Sequence, residues 1–474
     1  MKLITSTIFS ILVIGITAYM PPTNPTWPPT YNMTLSSITM QCNSSGFSSP
    51  TAASHFGIIS YDWSNTKNLW TKAQPMNSEQ NLLIQAEKTR RVAIDSKIFV
   101  YRNLVWAMPW MEHVREKLDD PAYSGFFLNF DRDKYEEWEK LHPNGGNNNS
   151  DTTPFHVNPC AIEDPKKCSK YYHDQNQSPA VPTTSHPHVD GACDPKHGCN
   201  CGTMPCGGYV WDHRNGTMLR EFLIKEYIGG ATGLGSNAID GFFIDDFWCS
   251  DKICNETNNS VAACPCNDPA QGPTEIVRTS VEDMGLSDSD VKELTLAWNE
   301  TMSAVEKYIL DNNGYTWSLM YNQNNANAAP SRISNNSCAS ALRSACSKDS
   351  TFFKYGNLFG ITTPHQVKNG TFIYPQLEID IAFFLLARGP YAWVGYGVWG
   401  MTWPFNPEPR HGELPPQKYG LPRPHLMDHD FGSPVDPSST CVETDVPGIF
   451  QRKWTKAGVV ELNCNTYTAS FEKL

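Results

Sequence analysis

Short apolar runs alternate with helix-period stretches over most of this chain. The runs at 56–62 (FGIISYD), 97–102 (KIFVYR), 126–130 (FFLNF), 208–212 (GYVWD), 241–247 (GFFIDDF), 315–321 (YTWSLMY) and 391–396 (YAWVGY) predict strands, with a weaker candidate at about 351–358. Helices are predicted between them, at about 78–93, 108–118, 218–228 and from 375 onward. The clearest helix carries Val291, Leu294, Trp298, Met302, Val305 and Ile309 on one face, spaced 3, 4, 4, 3 and 4 apart. Ser287 and Asp290 ahead of that face predict an N-terminal capping box. Strands alternating with helices predict repeated βα units. Seven or eight of them predict an α/β fold, a (β/α)8 TIM-type barrel over about 56–430. The competing architecture is an open doubly wound sheet, but no Gly-rich phosphate loop follows a strand.

Two stretches interrupt the alternation, at about 133–207 and 248–273. Both are polar and rich in Cys, which predicts disulfide-bound loop insertions rather than further barrel units. Before the barrel, 19–55 reads as a Pro/Thr/Ser-rich leader, and after it 431–474 predicts a small antiparallel β element.

Composition then fixes the compartment. Lys2 and the apolar run 8–18 predict a signal peptide over residues 1–18, and that run is too short to span a bilayer. No later run predicts a membrane span. Ten N-x-S/T acceptors follow it: Asn32, Asn43, Asn148, Asn176, Asn215, Asn255, Asn258, Asn299, Asn335 and Asn369. All 15 cysteines lie after the signal, and an odd count leaves one free or joined to another chain. The cluster Cys193, Cys199, Cys201 and Cys206 reads as disulfides ahead of zinc, because paired C-x-x-C knuckles are missing. A secreted or extracellular destination follows, with the vacuole, lysosome or cell wall as variants. With 37 basic against 49 acidic residues and no basic run, a nucleic-acid partner is excluded. No metal or organic cofactor is implied.

In a β/α barrel the chemistry sits at the C-terminal strand ends. The polar residues there include Asp62, Arg102, Asp212, Asp245, Asp246 and Asn322, and aromatics flank them at Trp63, Tyr101, Trp211, Trp248 and Tyr321. Carboxylates and amides bind hydroxyls, aromatic faces stack on sugar rings, and two carboxyl groups can cleave a glycosidic bond. No G-x-S-x-G elbow and no H-E-x-x-H motif is present. Asp245 and Asp246 carry the most weight as catalytic candidates, and strand alternation sends only one of them inward. Asp212 is the candidate partner carboxylate, beside His213 and Arg214. The substrate-binding candidates are Asp62, Trp63, Tyr101, Arg102, Asn103, Trp211, His213, Arg214, Trp248, Tyr321 and Asn322.

The run containing Asp240, Gly241 and Asp245 resembles the D-G-x-x-x-D strand of secreted TIM-barrel proteins of the glycoside-hydrolase-like type. The tail, with Asp430, Phe431, Gly432 and Pro434 followed by Gly448, Ile449, Phe450 and Arg452, is similar to the small β element that closes such proteins. The resemblance implies a sugar-cleaving barrel acting on a poly- or oligosaccharide. The rival expectation is a non-catalytic carbohydrate-binding or cell-wall protein on the same barrel. A third is a cysteine-rich surface protein.

Overall fold

The computed structural model describes residues 29–41, 43, 46–129, 171, 173–174, 201, 204, 206–245, 286–316, 334–347, 357–361, 365–366, 372–396 and 423–474. Asp246, Trp248, Tyr321 and Asn322 lie outside these residues. So do the acceptors Asn148, Asn176, Asn255, Asn258 and Asn369, the signal segment 1–18 and most of both predicted insertions.

Five strands form one parallel sheet in chain order: β1 (Ile38–Gln41), β2 (Ile58–Tyr61), β3 (Lys97–Asn103), β7 (Gly241–Asp245) and β8 (Tyr315–Thr316). The short strands numbered between them, β4 (Trp106–Ala107), β5 (His173–Asp174) and β6 (Gly208–Val210), make a separate antiparallel sheet. A second parallel pair joins β9 (Asn357–Ile361) to β12 (Ala392–Tyr396). β10 (His365–Gln366) and β11 (Phe372–Ile373) form a small hairpin beside that pair in sequence. A parallel bridge from Ser37 to Val394 sets β12 against β1. The spatial order is therefore β9, β12, β1, β2, β3, β7, β8, so the last parallel strand in sequence lies beside the first. Among the described residues β8 and β9 are the two ends of this run.

Three sequence expectations change here. The leader contributes β1, whose four residues are all buried in the parallel sheet. The GYVWD run does not join that sheet: β6 pairs antiparallel with β4 and β5, and Trp211 bridges to Phe127. Residues 121–126 are a 3-10 turn, and 127–129 contribute isolated bridges to this antiparallel layer rather than a parallel strand.

Helices cover one face of the parallel sheet. The helix α1 (Ser78–Arg90) sits against β2 and β3, where the Tyr61 hydroxyl meets Thr89 Oγ1 at 2.6 Å. The helix α2 (Glu112–Asp119) meets the start of α1. α3 (Gly216–Phe222) continues into a π-helical turn to Ile228. α4 (Asp288–Asp311) begins with the expected reciprocal box between Ser287 and Asp290. Among the described residues no helix is long and apolar enough to cross a membrane.

The Asp-Gly that opens β7 has a local cause. Asp240 pairs with Arg90 and accepts the Ile98 N–H at 2.7 Å, which pins the start of β7 to α1 and β3. At Gly241 a Cβ would stand 2.2 Å from the Tyr315 carbonyl oxygen, so only glycine lets β8 approach.

A charged knot lies between the sheet and its helices. Arg102, fully buried on β3, donates from Nε to the Tyr227 carbonyl at 2.9 Å and from Nη2 to the Thr232 carbonyl at 2.8 Å. It also pairs with buried Glu79 at 3.2 Å. Glu79 accepts the His113 N–H at 2.9 Å, while Glu112 accepts the Glu79 and Gln80 N–H groups at 3.0 and 3.2 Å. Each of α1 and α2 thus has its N-terminus capped by a carboxylate from the other. Burial alone would raise Glu79, but the charge of Arg102 and the contacts with His113 hold it below the usual carboxylate range. Burial, reinforced by the charge of Glu79, pushes Glu112 up to about 7. The hydrogen bond to Glu79 raises His113.

A carboxyl raised on folding stabilises the native state in acid, and that contribution is lost as the pH rises through the folded value. Glu112 therefore favours the fold below its ordinary value of 4.5 and ceases to do so above about 7. His113, raised above 6.5, acts in the same direction. The melting temperature of Glu112→Gln is expected to fall less than that of the parent between pH 5 and pH 8. Identical slopes in differential scanning fluorimetry would remove Glu112 as a source of the pH dependence.

The C-terminal element is a four-stranded antiparallel sheet of β13 (Val442–Glu443), β14 (Ile449–Trp454), β15 (Gly458–Asn463) and β16 (Thr468–Phe471). It is fastened to α5 (Cys338–Ala345) by the disulfides Cys338–Cys464 and Cys346–Cys441. Arg452 on β14 donates to the carbonyls of Leu385, Leu386 and Arg388 at the end of α6 (Leu377–Ala387). A guanidinium at that helix C-terminus satisfies carbonyls that the helix leaves open. The Cys201–Cys206 pair closes a short loop before β6.

Candidate active site

Strand alternation sorts the candidates by face. Tyr61, Val100 and Phe242 share a register row, and the Tyr61 hydroxyl bonds to Thr89 on α1, so this row faces the helices. Arg102 belongs to the same parity. Its place is in the helix-facing knot, and this turns it away from the opposite face, where a substrate-binding role had been expected. Tyr101, Asn103, Phe243 and Asp245 have the other parity, with Tyr101 beside Phe243 and Asn103 beside Asp245.

These four meet at the C-terminal ends of β3 and β7. The Tyr101 hydroxyl donates to Asp245 Oδ2 at 2.9 Å. Asn103 Nδ2 donates to that same hydroxyl at 2.9 Å. Asn103 Oδ1 accepts the backbone N–H groups of Val105 and Trp106 at 2.8 and 2.7 Å, which fixes the amide and its orientation. The Tyr101 and Phe243 rings lie 6.0 Å apart beneath them. Tyr101 and Asn103 are buried, whereas Asp245 is half-buried, the most open residue of its strand.

Asp62 continues the β2 ladder, donating its N–H to the Gln41 carbonyl at 2.9 Å. By alternation it shares the Tyr101 face, two strands from Asp245, which corresponds to about 10 Å across the sheet. Its Oδ1 accepts the Ser64 N–H at 2.9 Å and the Ser64 hydroxyl at 2.5 Å. Below it on the same face, the fully buried Ser60 hydroxyl has no hydrogen-bond partner among the described residues. Ser60 was not singled out from the sequence, whereas strand alternation by itself places Phe243 on the Asp245 side. Counting by twos back from Asp62 would have found Ser60.

The remaining candidates are elsewhere. Asp212 caps a 3-10 turn and has both oxygens on Arg214, at 2.9 Å to Nε and 2.8 Å to Nη2. Arg214 in turn reaches Asp290 at 2.8 Å. Trp211 is fully buried, 5.1 Å from Phe127 and 5.9 Å from Phe222, and its Nε1 donates to the Asn103 carbonyl at 3.3 Å. It therefore braces the loop behind Asn103 from the core. His213 is fully buried, and its Nε2 contacts the Leu104 carbonyl at 2.7 Å. Burial lowers it to about 4, so the ring is neutral and Nε2 is the donor. Trp63, half-buried, packs 5.3 Å from Trp110 and 6.2 Å from Trp70, with Lys67 over its ring.

Among the described residues no three His, Cys, Asp or Glu side chains gather as a metal site. Asn32, Asn215 and Asn335 are exposed, and Asn43 and Asn299 are half-buried. No known family model matches this chain, and no curated protein sequence matches it.

Proposed function

We propose that this chain is a secreted glycoside hydrolase that cleaves a poly- or oligosaccharide with Asp245 as its principal carboxylate. The observation that carries the reading is the half-buried Asp245 at the C-terminal end of a parallel strand, gripped by Tyr101 on the face away from the helices. A carboxylate with that exposure and orientation suits attack on, or proton exchange with, a bound sugar. Asp62 on the same face is the candidate for the second carboxylate, since Arg214 occupies both oxygens of Asp212. The strand order supports closure into a barrel: an open doubly wound sheet reverses its order at a switch point, whereas here the order runs without reversal and β12 lies beside β1, with β8 and β9 as the ends among the described residues. The disulfides and the exposed acceptors Asn32, Asn215 and Asn335 support the secreted destination.

The test is a panel of polysaccharides, oligosaccharides and aryl glycosides, run on the parent chain and on Asp245→Asn. Turnover of at least one glycoside is expected, reduced at least about 10²-fold in the variant, with no change in melting temperature. The closure of Asp212 by Arg214 gives weight to the second reading, a non-catalytic carbohydrate-binding protein. Saturable binding of a glycan without turnover would favour that reading.

A further inference from the structure

We infer that the Asn103–Tyr101 relay holds Asp245 as an oriented, ionised carboxylate, which makes Asp245 the nucleophile or general base of the proposed hydrolysis and not its general acid. The inference rests on the hydrolase reading for the role, and on geometry alone for the ionised state.

The direction of the relay follows from its far end. Asn103 Oδ1 is engaged by two backbone N–H groups, so it must be the oxygen, and the atom facing Tyr101 must be the NH2. That NH2 can only donate, so it fills one acceptor site of the Tyr101 oxygen and leaves the single hydroxyl proton for another partner. That proton points at Asp245 Oδ2, 2.9 Å away. A carboxylate that receives this proton is favoured in its charged form. Trp211 Nε1 on the Asn103 carbonyl and Phe243 beneath the Tyr101 ring restrain both members of the relay. Tyr101 and Asn103 are thus positioning residues.

For bond cleavage, an ionised Asp245 forms a bond to the anomeric carbon, or takes a proton from the water that does so. The glycosidic C–O bond breaks as that bond forms, and the leaving oxygen takes its proton from a separate acid group. If a glycosyl ester formed, water hydrolyses it, returning the proton to that acid and the charge to Asp245. A role as donor would require the proton on Oδ1, and the Tyr101 hydrogen bond to Oδ2 favours the charged form over that protonated one.

Two variants separate the relay from a packing role. Tyr101→Phe keeps the ring against Phe243 and removes only the hydroxyl. Asn103→Asp keeps an oxygen for the Val105 and Trp106 N–H groups but replaces the donating NH2 with an acceptor, which draws the Tyr101 proton away from Asp245. In each, the carbon-13 titration of Asp245, assigned by its loss in Asp245→Asn, is expected to move up by about one pH unit, and the acid limb of kcat/KM with it. An unmoved titration in Tyr101→Phe overturns the relay whatever the activity. A moved titration without turnover of any glycoside leaves the relay standing and overturns the catalytic role together with the hydrolase reading. For the role itself, Asp245→Asn is expected to lose dinitrophenyl glycosides as severely as alkyl glycosides and to recover part of the rate with azide. Retention of near-parental rates on dinitrophenyl glycosides would show instead that Asp245 is the acid.

Discussion

Arg102→Ala is expected to destabilise the fold by about 3–5 kcal/mol, the range for removing one partner of a buried ion pair. The side chain is fully buried, and Glu79, also fully buried, would be left with His113 as its remaining charged partner. The carbonyls of Tyr227 and Thr232 would lose their donors at the same time. The guanidinium also stands 4.9 Å over the Tyr227 ring, so packing against the π-helical turn goes with it. Urea unfolding followed by circular dichroism measures the loss. The double variant Glu79→Gln with Arg102→Met is expected to recover part of it, because it removes the uncompensated charge rather than stranding it. If Arg102→Ala unfolded at the parental urea concentration but lost glycan binding, Arg102 would belong to the ligand site, as its place at the end of KIFVYR first suggested.

Cutting both bridges of the C-terminal sheet is the second large expected effect. Cys338–Cys464 and Cys346–Cys441 close loops of 126 and 95 residues, and loops of that length restrict the unfolded chain by several kcal/mol each in the chain-entropy account. The two loops are nested, so once one is closed the other pair is already held near by short arms. The two contributions should therefore not add. Cys338→Ser and Cys346→Ser singly are expected to lower the urea midpoint modestly, and together by more than the sum of the two. The double variant is expected to cost at least about 2–5 kcal/mol, and limited proteolysis should then release the sheet. Arg452 on the α6 carbonyls and the Arg343–Glu443 pair would remain, but the latter is exposed and adds little. A double variant with the parental midpoint would mean that these contacts, rather than the bridges, hold the element in place.

The two kinds of prediction draw on different parts of the chain, and the sequence was legible to different degrees in each. The runs FGIISYD, KIFVYR and GFFIDDF announced themselves because each is longer than a turn, largely apolar and bounded by polar residues. β1 did not, since ITMQ is short, sits among Ser and Thr, and is buried on both sides, so no alternation marks it. The GYV run looked like its parallel neighbours because an apolar strand carries no record of the strand it will pair with. Its partners, Trp106–Ala107 and His173–Asp174, are too short to be read as strands at all. The pairing of Asp212 with Arg214 was visible as an option, whereas its consequence, both oxygens occupied, was geometric.

By itself the sequence determined the parity of β3 and β7, and with it the fact that Tyr101 and Asn103 share one face and Arg102 takes the other. It also determined that Asp245 lies on the Phe243 side, because backbone pleating alternates side chains whatever surrounds them. Only the tertiary structure decided which of those faces the helices cover, since that depends on where α1 and the π-helical turn pack. The same packing sent Arg102 into a charged knot and left Asp245 half-open beside the Tyr101 hydroxyl. The in-register pairing of residues 142 apart in sequence, from Phe99 with Gly241 to Asn103 with Asp245, is a non-local contact that no window of the chain can encode.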